Sequence, residues 1–128
     1  MVRAIFECNR ETGKLEMRVH GHANFAELGK DPVCAGASVL AMAAAQCIDL
    51  MEQDGSLKKE AVFKIDNGNV RVKCLPKPEH FDEALLIFHV AHVGMELLAA
   101  AYPEHAEVKV IGAAKADSIK ESSTSRTD

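Results

Sequence analysis

Two short runs near the N-terminus alternate apolar and polar residues. Residues 2–8 (VRAIFEC) do so, and residues 14–20 (KLEMRVH) repeat the pattern with Leu15, Met17 and Val19 on one face. A period of two is the mark of a strand with one buried face. The turn cluster from Asn9 to Gly13 lies between the runs, so they read as a hairpin. Residues 21–33 break every period with two glycines and a proline. From about 32 to 53 the chain is Ala-rich and apolar, then ends in Glu52, Gln53 and Asp54 before Gly55, which reads as a helix and its stop.

The second half repeats this grammar. Residues 61–66 and 69–75 are short strand patterns around Asn67-Gly68, a strong hairpin signal. Pro76 and Pro78 end that unit. Phe81, Leu85, Phe88, His92, Met95, Leu98 and Tyr102 then form a helical stripe over 79–102, stopped by Pro103. Residues 106–111 (AEVKVI) return to a strand. The order is ββαββαβ. Such hairpin-dominated order predicts an α+β fold, a single domain with a mixed or largely antiparallel sheet packed with two long helices. The domain is expected over residues 1–112, and the Ser-, Thr- and Lys-containing stretch 113–128 is expected to be a disordered tail. The first helix is apolar almost all round from Val33 to Ile48, which predicts burial on several sides, in part by a second subunit.

Composition narrows the function. The 128 residues carry 15 Lys and Arg against 19 Asp and Glu, a net charge of −4. An acidic chain is a poor general nucleic-acid binder, so no direct nucleic-acid contact is expected. The run Val33–Ile48 is short for a bilayer and the start MVRAIFEC is charged, so no membrane role and a cytoplasmic location are expected. The four cysteines, at 8, 34, 47 and 74, form no CxxC pair. They read as thiols in a reducing compartment.

One of those thiols stands in a distinct setting. In HGHANFAELGKDPVCAGAS (residues 20–38) histidines end a strand, an irregular segment follows, and Cys34 begins a helix. The reactive form of cysteine is the thiolate, and an ordinary thiol with a pKa of about 8.5 holds little of it at neutrality. A helix N-terminus favours the anion by roughly 0.3–1 kcal/mol, less than the roughly 1.4 kcal/mol that one pKa unit requires. An imidazolium at the strand end, from His20 or His22, supplies what the helix end does not. The N–H of Cys34 or Ala35 is then a candidate oxyanion donor. Cys8, Cys47 and Cys74 lie inside regular patterns and read as small apolar residues.

The residues Gly21-His22-Ala23, Gly29, Asp31, Val33-Cys34-Ala35 and Ser38, at these spacings, resemble the ribosomal-processing cysteine protease family known as Prp. The similarity extends over residues 1 to about 112 through the order of elements. It implies a small, dimeric cytosolic bacterial endopeptidase that removes a short N-terminal extension from large-subunit ribosomal protein twenty-seven, cutting after an apolar, aromatic segment. It implies Cys34 as nucleophile and His22 as general base, with Asp31, Ser38 and Gly21 in supporting positions and residues 22–33 as a mobile segment over the cleft. It implies no cofactor and no metal. Pro32 departs from the family pattern, which carries an apolar, often β-branched residue there, and Gly36 and Ala37 are smaller than the family's usual residues.

Several residues keep a second reading. Asp31 either orients His22 or caps the helix, with Pro32 at the first helical position. As a cap it would disfavour the thiolate and occupy an N–H wanted for the oxyanion, unless the segment rearranges with substrate. Ser38 shares a helix face with Cys34 and either packs or bonds the motif segment. His20, two residues before His22, is expected on the same side, and His20, His22 and Cys34 together form a rival metal-site reading without a fourth ligand. His89, His92 and Glu96 also share a helix face at ligand spacing, where a partly buried flank or a dimer contact is the simpler account. Gly21 is read as a backbone requirement.

Overall fold

The computed structural model describes residues 1–21 and 31–112. The segment 22–30 and the expected tail 113–128 lie outside the described residues. The strand patterns become β1 (Val2–Asn9), β2 (Lys14–His20), β3 (Val62–Asp66), β4 (Asn69–Cys74) and β5 (Ala106–Ile111). The helical patterns become α1 (Pro32–Gln53) and α2 (Phe81–Ala101). A short 3-10 turn, Pro78–His80, leads into α2. Proline suits that place because its missing N–H would be an orphan in a first turn anyway.

The five strands form one sheet in the order β3-β4-β2-β1-β5. Only β1 and β5 run parallel, with Ala4 beside Val108. The other pairs are antiparallel, so the sheet is mixed, in an α+β fold. One face of the sheet supplies Val2, Ala4 and Phe6 from β1, Leu15, Met17 and Val19 from β2, and Val70 and Val72 from β4, all buried. Both helices cover this face. From α1 come Val33, Ala37, Ala41, Ala44, Ala45 and Ile48, and from α2 Ala84, Phe88, Ala91 and Met95. Phe6 and Phe88 are fully buried, each contributing roughly 1.5–3 kcal/mol by leaving water. The opposite sheet face is polar, with buried Glu16 held by Arg71 at 3.1 Å and Arg18 at 3.2 Å.

Small residues set how closely the helices approach. A Cβ at Gly94 of α2 would stand 2.5 Å from Leu40 Cδ2 of α1, and one at Gly36 of α1 would stand 3.1 Å from Leu98 Cδ2 of α2. The expectation that α1 is buried on several sides is not met within one chain. Its inner face is buried, but Val39 and Leu50 are 68% and 56% exposed. The reason is the two-layer build, in which the sheet lies below α1 and α2 beside it, and nothing among the described residues lies above. α1 and α2 are long and apolar enough to cross a bilayer by composition, with mean hydropathy of 1.7 and 1.8 in their most apolar windows. Their inner faces instead carry the core of the sheet.

Candidate active site

The first turn of α1 organises the site. Asp31 caps the helix in an extended conformation (φ −85°, ψ 109°), and Pro32 occupies the first turn. The Asp31 carboxylate is buried and accepts from the N–H of Val33 at 2.9 Å and of Cys34 at 3.1 Å. Its backbone carbonyl accepts from the N–H of Ala35 at 3.0 Å. Asp31 is therefore a helix cap, a bond type that stabilises by about 1 kcal/mol. This corrects one expectation: the N–H groups of Cys34 and Ala35, read as oxyanion donors, are both occupied here. The Asp31 carboxylate takes the N–H groups of Val33 and Cys34, which have no partner within the helix, and the N–H of Ala35 makes the first intrahelical bond to the Asp31 carbonyl.

Cys34 follows this cap, half-buried, and opens on a cleft of about 370 Å³. Asp31 and Ser38 of the same helix end line that cleft, as do Gly21 and the β3–β4 hairpin tip at Asp66, Asn67, Gly68 and Asn69. Ser38 is exposed, one helical turn after Cys34. The structure thus brings together Cys34, Asp31, Ser38 and Gly21, the described residues that the family resemblance had singled out. His22 lies outside the described residues. The hairpin tip was not anticipated as part of the site. It is distant in sequence, and only the Asn67-Gly68 turn marks it at all.

Gly21 is tied down at the cleft wall by its N–H, which donates to Gly68 O at 3.0 Å. Its φ of 97° suits glycine, and a Cβ there would stand 2.3 Å from Met1 O. The reading of Gly21 as a backbone requirement therefore holds. The expectation that His20 and His22 share a side falls on His22, which lies outside the described residues, and β2 itself ends at His20. In register, His20 lies opposite Arg3 and Asn69, while its neighbour Val19 is in the core. Strand alternation thus turns the His20 side chain to the sheet face opposite Val19, while His20, at the strand end, also lines the cleft that Cys34 opens on.

The remaining thiols differ from one another. Cys8 and Cys74 are buried, as a small apolar residue should be. Burial pushes the Cys74 thiol up to about 12. Cys47 departs from expectation, because it is exposed on the outer side of α1. None of the four is in a disulfide. His92 is a buried helix flank, as the simpler account held. Its Nε2 lies 3.0 Å from Glu96 Oε1, and its ring lies 5.2 Å from that of Phe6. Among the described residues no group of three or more His, Cys, Asp or Glu is placed to hold a metal ion.

Comparison with known proteins gives this geometry a family. The sequence model of the family described as cysteine protease Prp matches residues 1–107. No curated protein matches the chain. Among solved structures, the essential ribosomal processing protease Prp from S. aureus, in complex with a covalently linked product peptide, is 26% identical. It superposes with a TM-score of 0.67, covering 86% of this chain and 99% of that one. The same protease with a substrate peptide gives 24% identity and a TM-score of 0.60, again over 86% and 99% of the two chains. SMU.848 from Streptococcus mutans shares the fold at 24% identity and a TM-score of 0.61, over 87% of this chain and 94% of its own. With the match running from the first strand into the last and the motif cysteine opening on a cleft, the chain belongs to the cysteine protease Prp family.

Proposed function

We propose that this protease acts in the cytoplasm during bacterial ribosome assembly, as a homodimer that removes the N-terminal extension of large-subunit ribosomal protein twenty-seven. Cys34 is the nucleophile and His22 the general base. The observation that carries this reading is the position of Cys34 at the capped start of α1, on a cleft whose other wall is Gly21, the residue before His22. The S. aureus relative is a ribosomal processing protease and holds a covalently linked product peptide, which supports a ribosomal substrate and a covalent route for this chain.

The chemistry follows. His22 takes the Cys34 thiol proton, and the thiolate attacks the scissile carbonyl carbon. The tetrahedral oxyanion collapses as the C–N bond breaks, and His22 returns its proton to the leaving amine. Water, deprotonated by His22, then attacks the thioester, which releases the acid and restores the thiol. Side chains and water suffice for every step. The Asp31 carboxylate sits on the amide of Cys34, so a segment shift that frees this N–H on substrate binding would complete an oxyanion site.

The test is cleavage of a synthetic peptide spanning the extension and its junction. The wild-type chain cuts it once. Cys34→Ala abolishes cleavage, and His22→Ala lowers kcat by about 10²- to 10⁴-fold. Iodoacetamide labels Cys34 faster than the exposed Cys47 at neutral pH, and His22→Ala removes that advantage. Equal labelling of the two thiols, or cleavage that survives Cys34→Ala, overturns the assignment.

A further inference from the structure

We propose that the substrate peptide binds as an added strand on the outer edge of β3, in the groove between β3 and α1, through main-chain hydrogen bonds to Phe63 and Ile65. The inference rests on the protease reading and specifies how its site holds a substrate. β3 ends the sheet, so one of its edges pairs with no described strand. The two-residue Asn67-Gly68 turn sets Asp66 opposite Asn69, Ile65 opposite Val70, Lys64 opposite Arg71 and Phe63 opposite Val72. In a two-residue hairpin the pair flanking the turn is hydrogen-bonded, and bonded and non-bonded pairs then alternate. Asp66, Lys64 and Val62 therefore bond inward to β4. Phe63 and Ile65 turn their N–H and C=O outward.

The next member of the outward series shows what this edge faces. The N–H of Ala61 donates to the Glu52 carboxylate at the end of α1. That bond closes one end of a groove. At the other end lies the cleft of Cys34, and Met42 and Ile65 line both that cleft and a smaller cavity of about 150 Å³. Ala45, Gln46, Asp49 and Phe63 complete the smaller cavity. The groove thus shares Met42 and Ile65 with the cleft of Cys34, is bounded by Glu52 at its far end, and has two outward-facing backbone residues along it.

An extended peptide fits this geometry. Each outward residue offers one donor and one acceptor, so Phe63 and Ile65 together provide about four main-chain bonds. Peptide recognition at a sheet edge takes affinity from such bonds and specificity from the pockets that meet alternate side chains. Peptide side chains turned toward α1 meet Met42, Ala45, Phe63 and Ile65, so apolar residues belong at alternate positions beside the scissile bond. Side chains turned the other way lie on the face of Lys64 and are unconstrained. Ile65 is 49% exposed, an apolar residue left for a ligand to cover.

The experiment uses the full chain and the extension peptide, with each peptide amide N-methylated in turn. Methylation at alternate positions on one side of the scissile bond should lower kcat/KM by about tenfold each, the value of one lost hydrogen bond, and intervening positions should stay within about twofold. A flat profile with the parent peptide cleaved overturns the strand addition and leaves the protease reading standing. If the parent peptide is not cleaved, both fall. As a second arm, Ile65→Pro removes the outward N–H while sparing the ladder, a change that edge strands tolerate. Its circular dichroism should match wild type, and its KM should rise with kcat unchanged. A folded Ile65→Pro chain with wild-type KM overturns the proposal, and the methylation scan decides alone if that variant does not fold.

Discussion

Asp31 has two duties that pull in opposite directions. Its carboxylate satisfies the amides of Val33 and Cys34, and its negative charge sits beside the residue proposed to become an anion. Substitution separates the two. Asparagine retains the capping oxygen and removes the charge, so Asp31→Asn should change stability by only a few tenths of a kcal/mol. The same substitution should raise the rate of Cys34 alkylation at neutral pH, because a nearby carboxylate disfavours the thiolate. Asp31→Ala removes the cap as well and should destabilise by about 1 kcal/mol, seen as a lower denaturant midpoint. If Asn and Ala destabilise equally, the cap is not what holds this turn. Gly21 shows the stricter case of a residue dictated by backbone. With φ at 97° and Met1 O where a Cβ would go, Gly21→Ala should destabilise by more than 1 kcal/mol and detach the cleft wall from Gly68.

At the scale of elements, local signals were legible and long-range pairing was not. The alternation of Leu15, Met17 and Val19 marked β2, and Asn67-Gly68 marked the β3–β4 turn, because each depends on neighbours in sequence. The pairing of β4 with β2 and the parallel contact of β1 with β5 join distant segments, and no period announces them. Asp31, Cys34 and Ser38 were legible as a site through the resemblance to a local family motif, whereas Asp66 and Asn69 enter the cleft only through the sheet order. β4 also carries a measurable consequence of burial. Burial holds its Cys74 thiol up at about 12 in the fold, well above the ordinary thiol range. The folded state thus holds the proton more tightly than the unfolded one. Stability from this group is complete below about pH 9 and is lost as pH rises toward about 12, at up to about 1.4 kcal/mol per pH unit. Urea denaturation at pH 8 and pH 10 should show this loss in the wild type and a smaller one in Cys74→Ala, which has no thiol to ionise. Equal losses in both would assign the alkaline instability elsewhere.

At the scale of the whole molecule, the two-layer build leaves the outer helical surface without a cover among the described residues. Val39, Leu86, Val90, Val93 and Leu97 are all at least 45% exposed on α1 and α2. Val39 and Leu97 meet across an open depression that Ala35, Gly36, Leu40, Gly94 and Leu98 complete. A second copy of the chain is the cover that fits the proposed homodimer. A twofold pairing sets the same patch against itself, so the apolar surface that each copy exposes is also the surface that its partner offers. Any substitution in such an interface acts twice. A buried Leu or Val contributes roughly 1.5–3 kcal/mol, so replacing Leu97 or Val90 with Glu should weaken association by at least about 10²-fold. Because both side chains are more than 60% exposed in one chain, the fold itself should persist. Sedimentation equilibrium at micromolar concentration should give the wild type twice the mass of one chain, and Leu97→Glu and Val90→Glu the mass of one chain with unchanged circular dichroism. A wild type that sediments as a single chain would overturn the pairing, and a dimer that survives both substitutions would move it to another surface.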